Sequence, residues 1–201
     1  MNILSLLKQA AQIEANAVAG LVDQIDQSFV DAVELMRKCE GKVIVSGVGK
    51  SGLVGRKIAA SLASTGTPAF FVHACEAVHG DSGMIEPRDV VILLSNSGET
   101  GEILNLLPVL EAIGCRKIAI TSGRDSTLAK ACDVALIYAY EREADHLNLA
   151  PTTSAVLTLI IGDALAVTLS VLKGFGQKDF YRYHPGGSLG AQLSNLYKES
   201  R

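Results

Sequence analysis

With 201 residues the chain suits one ordinary domain, and 18 basic against 21 acidic side chains leave it near neutral, without the basic face that broad nucleic-acid binding needs. Apolar residues make up 48% of it but aromatics only 5%, alongside 19 glycines; that excludes intrinsic disorder and points to a layered α/β domain with backbone-lined loops. Four cysteines, Cys39, Cys75, Cys115 and Cys132, are scattered without C-x-x-C spacing, so a disulfide scaffold is excluded as well.

The first forty residues predict two amphipathic helices. Ile3, Leu6, Leu7 and Ala10, then Val18, Leu21, Val22 and Ile25, fit one helical stripe, and Phe29, Val33 and Met36 fit another. Their exposed faces are expected to pack against a second subunit. No basic stretch leads into an apolar core and a cleavage site, so no signal peptide is expected; with unpaired thiols, the cytoplasm is the expected compartment.

Strand and helix signals alternate from Lys42 onward. Val43-Ile44-Val45 is a β-branched run ending in Gly47-Val-Gly49, followed by a helix from Ser51 to about Ser64. Ala69 to Val72, Val90 to Leu94, Lys117 to Ile120 and Val134 to Tyr138 read as four further strands. A helix spans Glu102 to Ile113, closed by Gly114. The apolar runs do not alternate in and out, which is the mark of a parallel sheet covered on both faces. Ala155 to Leu172 is nearly long enough to span a membrane, but Asp163 at its centre favours a buried helix, with the carboxylate hydrogen-bonded at a subunit interface. A Gly/His/Pro loop and a short helix from about Leu189 complete the chain. The expected architecture is a three-layer αβα sandwich around a five-stranded parallel sheet.

Open parallel sheets bind ligands beyond the carboxyl ends of the strands where strand order reverses. For order 2-1-3-4-5 the loops at that point are Gly47-Val-Gly-Lys-Ser-Gly52 and Ser95-Asn-Ser-Gly-Glu-Thr100. Both are rich in small and hydroxylated residues and both open a helix, so a phosphate is the expected occupant. The first loop spells G-x-G-x-x-G, but the next strand ends in His73 rather than the acid a dinucleotide ribose requires. It does not complete a P-loop either, because the leading glycine of that motif is replaced by Ile44.

The second loop resembles the phosphate loop of SIS (sugar isomerase) domains. Gly49-Lys-Ser-Gly52, Arg56-Lys-Ile-Ala59, Ser64-Thr-Gly-Thr-Pro68, Phe71-Val-His73, Glu76-Ala-Val-His-Gly-Asp81, Leu149-Ala-Pro-Thr-Thr-Ser154, Gly162-Asp-Ala-Leu-Ala166 and His184-Pro-Gly-Gly-Ser-Leu-Gly190 resemble its arabinose-5-phosphate isomerase branch, in the expected order. The resemblance implies a flavodoxin-like SIS fold, a homotetramer, no cofactor, and interconversion of D-arabinose 5-phosphate and D-ribulose 5-phosphate. Residues 1–40 would then serve oligomerisation and residues 42–200 form the isomerase core of a single domain. Lys50, Glu102, Glu143 and His184 match residues considered catalytic in that family. The same motifs put Ser51, Gly66, Thr67, His79, Ser95, Asn96, Ser97 and Thr100 at the sugar phosphate. His73 matches a metal-contacting histidine that turnover does not need.

Those residue types suit the chemistry. Isomerisation removes a proton beside a carbonyl and returns it to the neighbouring carbon through an enediol, a task for a carboxylate base. Glu143 is favoured as the base over Glu102. His184 would move protons between sugar oxygens or open the ring, and Lys50 would hold enediolate or phosphate charge. Full-length members of the branch carry a tandem CBS pair that this chain lacks, so it reads as a naturally short enzyme or a shortened one. The competing readings are a hexulose- or heptose-phosphate isomerase of the same fold, and a non-catalytic sugar-phosphate sensor. The retained acid/base set favours an enzyme over a sensor.

Overall fold

Five short apolar strands build the centre of the molecule. The structure is a computed structural model that describes residues 2–186. Strands β1 (Val43–Gly47), β2 (Ala69–His73), β3 (Val90–Leu94), β4 (Arg116–Thr121) and β5 (Val134–Ile137) form one parallel sheet in the order β2-β1-β3-β4-β5. The switch point lies between β1 and β3, as in the strand order assumed from the α/β pattern. Val43 pairs with both Ala69 and Val90, and Ile118 with Val134. Asp89 ties the amino ends of the two central strands: its buried carboxylate accepts from Lys42 N at 2.7 Å and Glu86 N at 2.8 Å.

Side chains alternate across this sheet into two cores. Val43, Val45, Val90, Ile92 and Leu94 face one side, with helices α2 (Gln27–Arg37), α3 (Gly49–Ser64) and α7 (Thr153–Leu172). Ile44, Val91 and Leu93 face the other, with α4 (Ala74–Ala77), α5 (Gly101–Ile113) and α6 (Thr127–Ala131). The architecture is therefore the expected three-layer αβα sandwich. The central strands β1 and β3 are buried throughout, whereas the edge strands β2 and β5 are only partly covered. Gly114 ends α5 in the left-handed region at φ 80°, as its place after the last apolar turn predicts.

Several elements depart from the sequence reading. Helices α4 and α6 occupy stretches without a predicted element, and α8 (Gln177–Tyr183) fills part of the expected Gly/His/Pro loop. Each is too short to show a 3.6-residue period. The first helix, α1 (Ile3–Leu21), ends early, and a 3-10 turn carries the chain from Val22 to Gln24. Its apolar stripe stays open, with Ile3 75% and Leu7 66% exposed.

Helix α7 is not enclosed either. It is long and apolar enough to cross a membrane by length and composition. One face, including Leu157, Ile161, Leu165 and Leu169, is buried, while Val167, Val171 and Leu172 are exposed. Asp163 is half-exposed and pairs with Lys57 of α3, with Lys57 Nζ 2.6 Å from Asp163 Oδ2. Within the chain it is therefore a surface ion pair between neighbouring helices, not a buried carboxylate. The helix expected from about Leu189 lies outside the described residues.

Candidate functional site

The carboxyl edge of the sheet brings the two switch-point loops together. A cleft lined by Ser51, Val54, Asn96, Tyr138, Pro151, Ser154 and Thr158 separates the start of α3 from the β3–α5 loop and the start of α7. A wider cleft of about 380 Å³ adjoins it at Tyr138, with Ser122, Tyr140, Glu143 and Asn148 along its walls. That volume falls in the range of small-molecule sites.

The 95–100 loop folds on its own hydroxyls. Ser95 is buried, and its Oγ lies 2.7 Å from Thr100 Oγ1 and accepts from Gly98 N at 3.0 Å. Ser97 is exposed and accepts from Glu99 N at 3.1 Å. Gly98 sits at φ 71°, and a Cβ there would lie 2.1 Å from Ser126 Oγ, so both conformation and space call for glycine. Helix α5 starts directly after Thr100, whose carbonyl accepts from Ile103 N at 3.0 Å, and the N–H groups of its first two residues have no intrahelical acceptor, a ready anion site.

Asn96 is anchored from all sides. Its carbonyl accepts from Thr121 Oγ1, Ser122 N and Ser122 Oγ at 2.8–3.1 Å. Its Oδ1 accepts from Tyr138 Oη and its Nδ2 donates to Tyr140 Oη, both at 2.9 Å. Its side chain therefore holds the loop within the protein.

Glu143 is 5% exposed and caps the start of α7. Its Oε2 accepts from Thr152 N, Thr152 Oγ1 and Ser154 N at 2.8–3.1 Å, and its Oε1 from Tyr140 Oη at 3.1 Å. Burial pushes the carboxyl up, but hydrogen bonds from Ser154 and Thr152 outweigh it and hold Glu143 below the ordinary carboxylate value. Burial also raises Tyr138 and Tyr140, which therefore stay protonated at neutral pH. Neither tyrosine nor the Thr152/Ser154 pair was assigned a role from the sequence. The available signal was two tyrosines spaced two apart at a strand end in an aromatic-poor chain.

The other expected site residues are spread more widely. Lys50 and Glu102 are exposed, in the first turns of α3 and α5. His73 ends β2 beside Gly47, and its Nδ1 accepts from Cys75 N at 3.3 Å, which caps α4. His79 is exposed beyond α4. Among the described residues no three His, Cys, Asp or Glu side chains cluster as a metal site. Gly66 and Thr67 lie at the opposite, amino edge of the sheet. Thr67 is buried under Lys173, whose Nζ donates to its hydroxyl at 2.8 Å, and a Cβ on Gly66 would lie 2.4 Å from Phe175 Cδ2. Phe175 stacks on Tyr183 of α8, so His184, the next residue, belongs to that edge too; its ring stacks on Phe180 at 4.0 Å. One chain thus does not bring His184, Gly66 or Thr67 to the 95–100 loop.

A parallel sheet whose switch-point loop carries clustered hydroxyls before a helix N-terminus defines an α/β domain suited to a small phosphorylated ligand. The chain belongs to the SIS domain family, whose model matches residues 35–168. Arabinose 5-phosphate isomerase KdsD of Escherichia coli K12 is 52% identical over 186 residues, which are 92% of this chain and 57% of that protein. KpsF of Escherichia coli O6:H1 is 50% identical over 192 residues, 95% of this chain and 59% of that protein. The chain therefore spans less than two thirds of the curated relatives it matches. The solved structure of E. coli CFT073 c3406 in complex with arabinose 5-phosphate is 47% identical with a TM-score of 0.89, and the match covers 92% of this chain and 100% of that one.

Proposed function

We propose that this chain is an aldose–ketose isomerase that interconverts D-arabinose 5-phosphate and D-ribulose 5-phosphate through an enediol. The observation that carries this reading is the likeness, over 92% of the chain, to c3406, whose structure holds arabinose 5-phosphate. The phosphate would sit over Ser97, Thr100 and the N-terminus of α5, with Ser51 facing it across the cleft and Ser95 and Asn96 shaping the loop. Lys50 would offset the charge of the phosphate or of the enediolate.

Two features support Glu102 over Glu143 as the base. Both oxygens of Glu143 are engaged by donors, which makes it a poor acceptor for a substrate proton. Glu102 is exposed beside the anion site, so the proton beside the carbonyl falls to it, with Glu143 holding the start of α7 and Tyr140 in place. This assignment reverses the preference for Glu143 drawn from the sequence. His184, Gly66 and Thr67 would reach the sugar in a homotetramer, where one copy's amino edge meets another's carboxyl edge, and His79, which follows the carboxyl end of β2, would join them there. His73 would contact a metal without contributing to turnover. The four cysteines do not pair with one another within the chain, which fits the expected cytoplasmic compartment.

The test is direct. Purified protein incubated with arabinose 5-phosphate, without added metal, is expected to form ribulose 5-phosphate. Glu102→Gln should lower kcat about a hundredfold or more while leaving sugar-phosphate affinity within about threefold. Tight binding without turnover would make the chain a sensor. Turnover only on hexulose or heptose phosphates would make it another isomerase of the fold.

A further inference from the structure

The segment after β5 is held by a side chain acting as a strand. Gln24 lies at the end of the N-terminal helical arm, far from Ala139 in sequence. Its Oε1 accepts from Ala139 N at 2.6 Å and its Nε2 donates to Ala139 O at 3.1 Å, the two bonds a neighbouring strand would make. With Ala139 pinned between them, the rings of Tyr138 and Tyr140 stack with centroids 6.1 Å apart. Both hydroxyls then close on the Asn96 amide.

The protons have one consistent placement. An amide NH2 only donates and the Glu143 carboxylate only accepts, so the single Tyr140 O–H points at Glu143 and its oxygen receives Asn96 Nδ2. Tyr138 gives its proton to Asn96 Oδ1. Tyr138 is a core residue at 1% exposure, whereas Tyr140 is half-buried at the cleft and carries both the loop bond and the Glu143 bond.

We propose that Tyr140, braced by Gln24 through Ala139, is a positioning residue that holds Asn96 and so keeps the 95–100 loop in its anion-binding shape. Its role is exerted through Asn96. The part of the test that uses turnover rests on the proposed isomerase activity, and the part that uses inorganic phosphate does not.

The experiment compares the full chain with Tyr140→Phe, which deletes one oxygen and keeps the ring, and with Gln24→Ala. Calorimetric affinity for inorganic phosphate is expected to weaken about fivefold to tenfold in Tyr140→Phe and less, in the same direction, in Gln24→Ala. KM for arabinose 5-phosphate should rise by a similar factor, with kcat changed less than about twofold. Combining Tyr140→Phe with Asn96→Ala should add little to Asn96→Ala alone, because both act on one contact. If the wild type binds phosphate and the variants weaken it without any turnover, the isomerase reading fails and the positioning role stands. Unchanged phosphate affinity in both variants, full additivity with Asn96→Ala, absence of phosphate binding by the wild type, or lost stability with phosphate affinity intact would each overturn the proposal.

Discussion

A carboxylate 5% exposed, such as Glu143, would be a costly charge without partners, yet it receives four hydrogen bonds. Its position at the start of α7 adds favourable interaction with the helix N-terminus. Because the folded value is held below the ordinary carboxylate value, its stabilising effect is fully present above the unfolded value and fades as pH falls through the folded one. Glu143→Gln should therefore cost about 1–3 kcal/mol at neutral pH, and the gap to wild type should narrow in acid; urea unfolding at both conditions measures it. A gap that is constant with pH would remove Glu143 as the titrating group. Gly98 makes the opposite kind of demand, since it is defined by space and φ rather than charge. Gly98→Ala would press on Ser126 and force a strained backbone in the anion loop. It is expected to weaken phosphate binding more than about tenfold, read by calorimetry, and to lower the melting temperature.

At the scale of elements, α3 and α7 meet so closely that glycine is needed between them. A Cβ on Gly162 would lie 2.4 Å from Ile58 Cγ1 and 2.5 Å from its Cδ1. Gly162→Ala should cost about 1–3 kcal/mol by overpacking, and Ile58→Ala about 2–5 kcal/mol by leaving a cavity. Because Ile58→Ala removes the clashing atoms, the double variant should be less destabilised than the sum, as chemical denaturation of the four proteins would show. Contacts such as this, and the relay around Asn96, are where sequence reading stops. The strands were legible because Val90 to Leu94 and its counterparts are unbroken apolar runs between turn residues. The 95–100 loop stood out as a candidate because Ser95 to Thr100 are contiguous. Tyr140 lies 44 residues from Asn96, and Gln24 lies 115 from Ala139, so their meeting depends on strand order and on where the arm returns. Helix α6 escaped notice because five residues, started by the Ser126 cap, show no period of their own.

For the whole molecule, the exposed apolar surfaces and the divided candidate site lead to one expectation. Ile3 and Leu7 on α1 and Val171 and Leu172 on α7 present large apolar side chains to solvent, more than half exposed. Such patches mark association surfaces in soluble domains. The candidate chemistry is divided as well: the anion loop, Glu102 and Lys50 sit at the carboxyl edge, and His184 with Gly66 and Thr67 at the amino edge. A monomer would leave both features unexplained, whereas a symmetric assembly would cover the patches and let one copy supply what another lacks. The chain is expected to sediment as a tetramer, and Ile3→Glu combined with Leu7→Glu should shift it towards smaller species. Turnover of arabinose 5-phosphate should fall with the tetramer fraction, while phosphate affinity, which depends on the carboxyl edge of one chain, should change less than about threefold. Mixing a His184→Ala chain with a Glu102→Gln chain should restore part of the activity if sites are shared across copies, and a fully active monomer would refute the sharing.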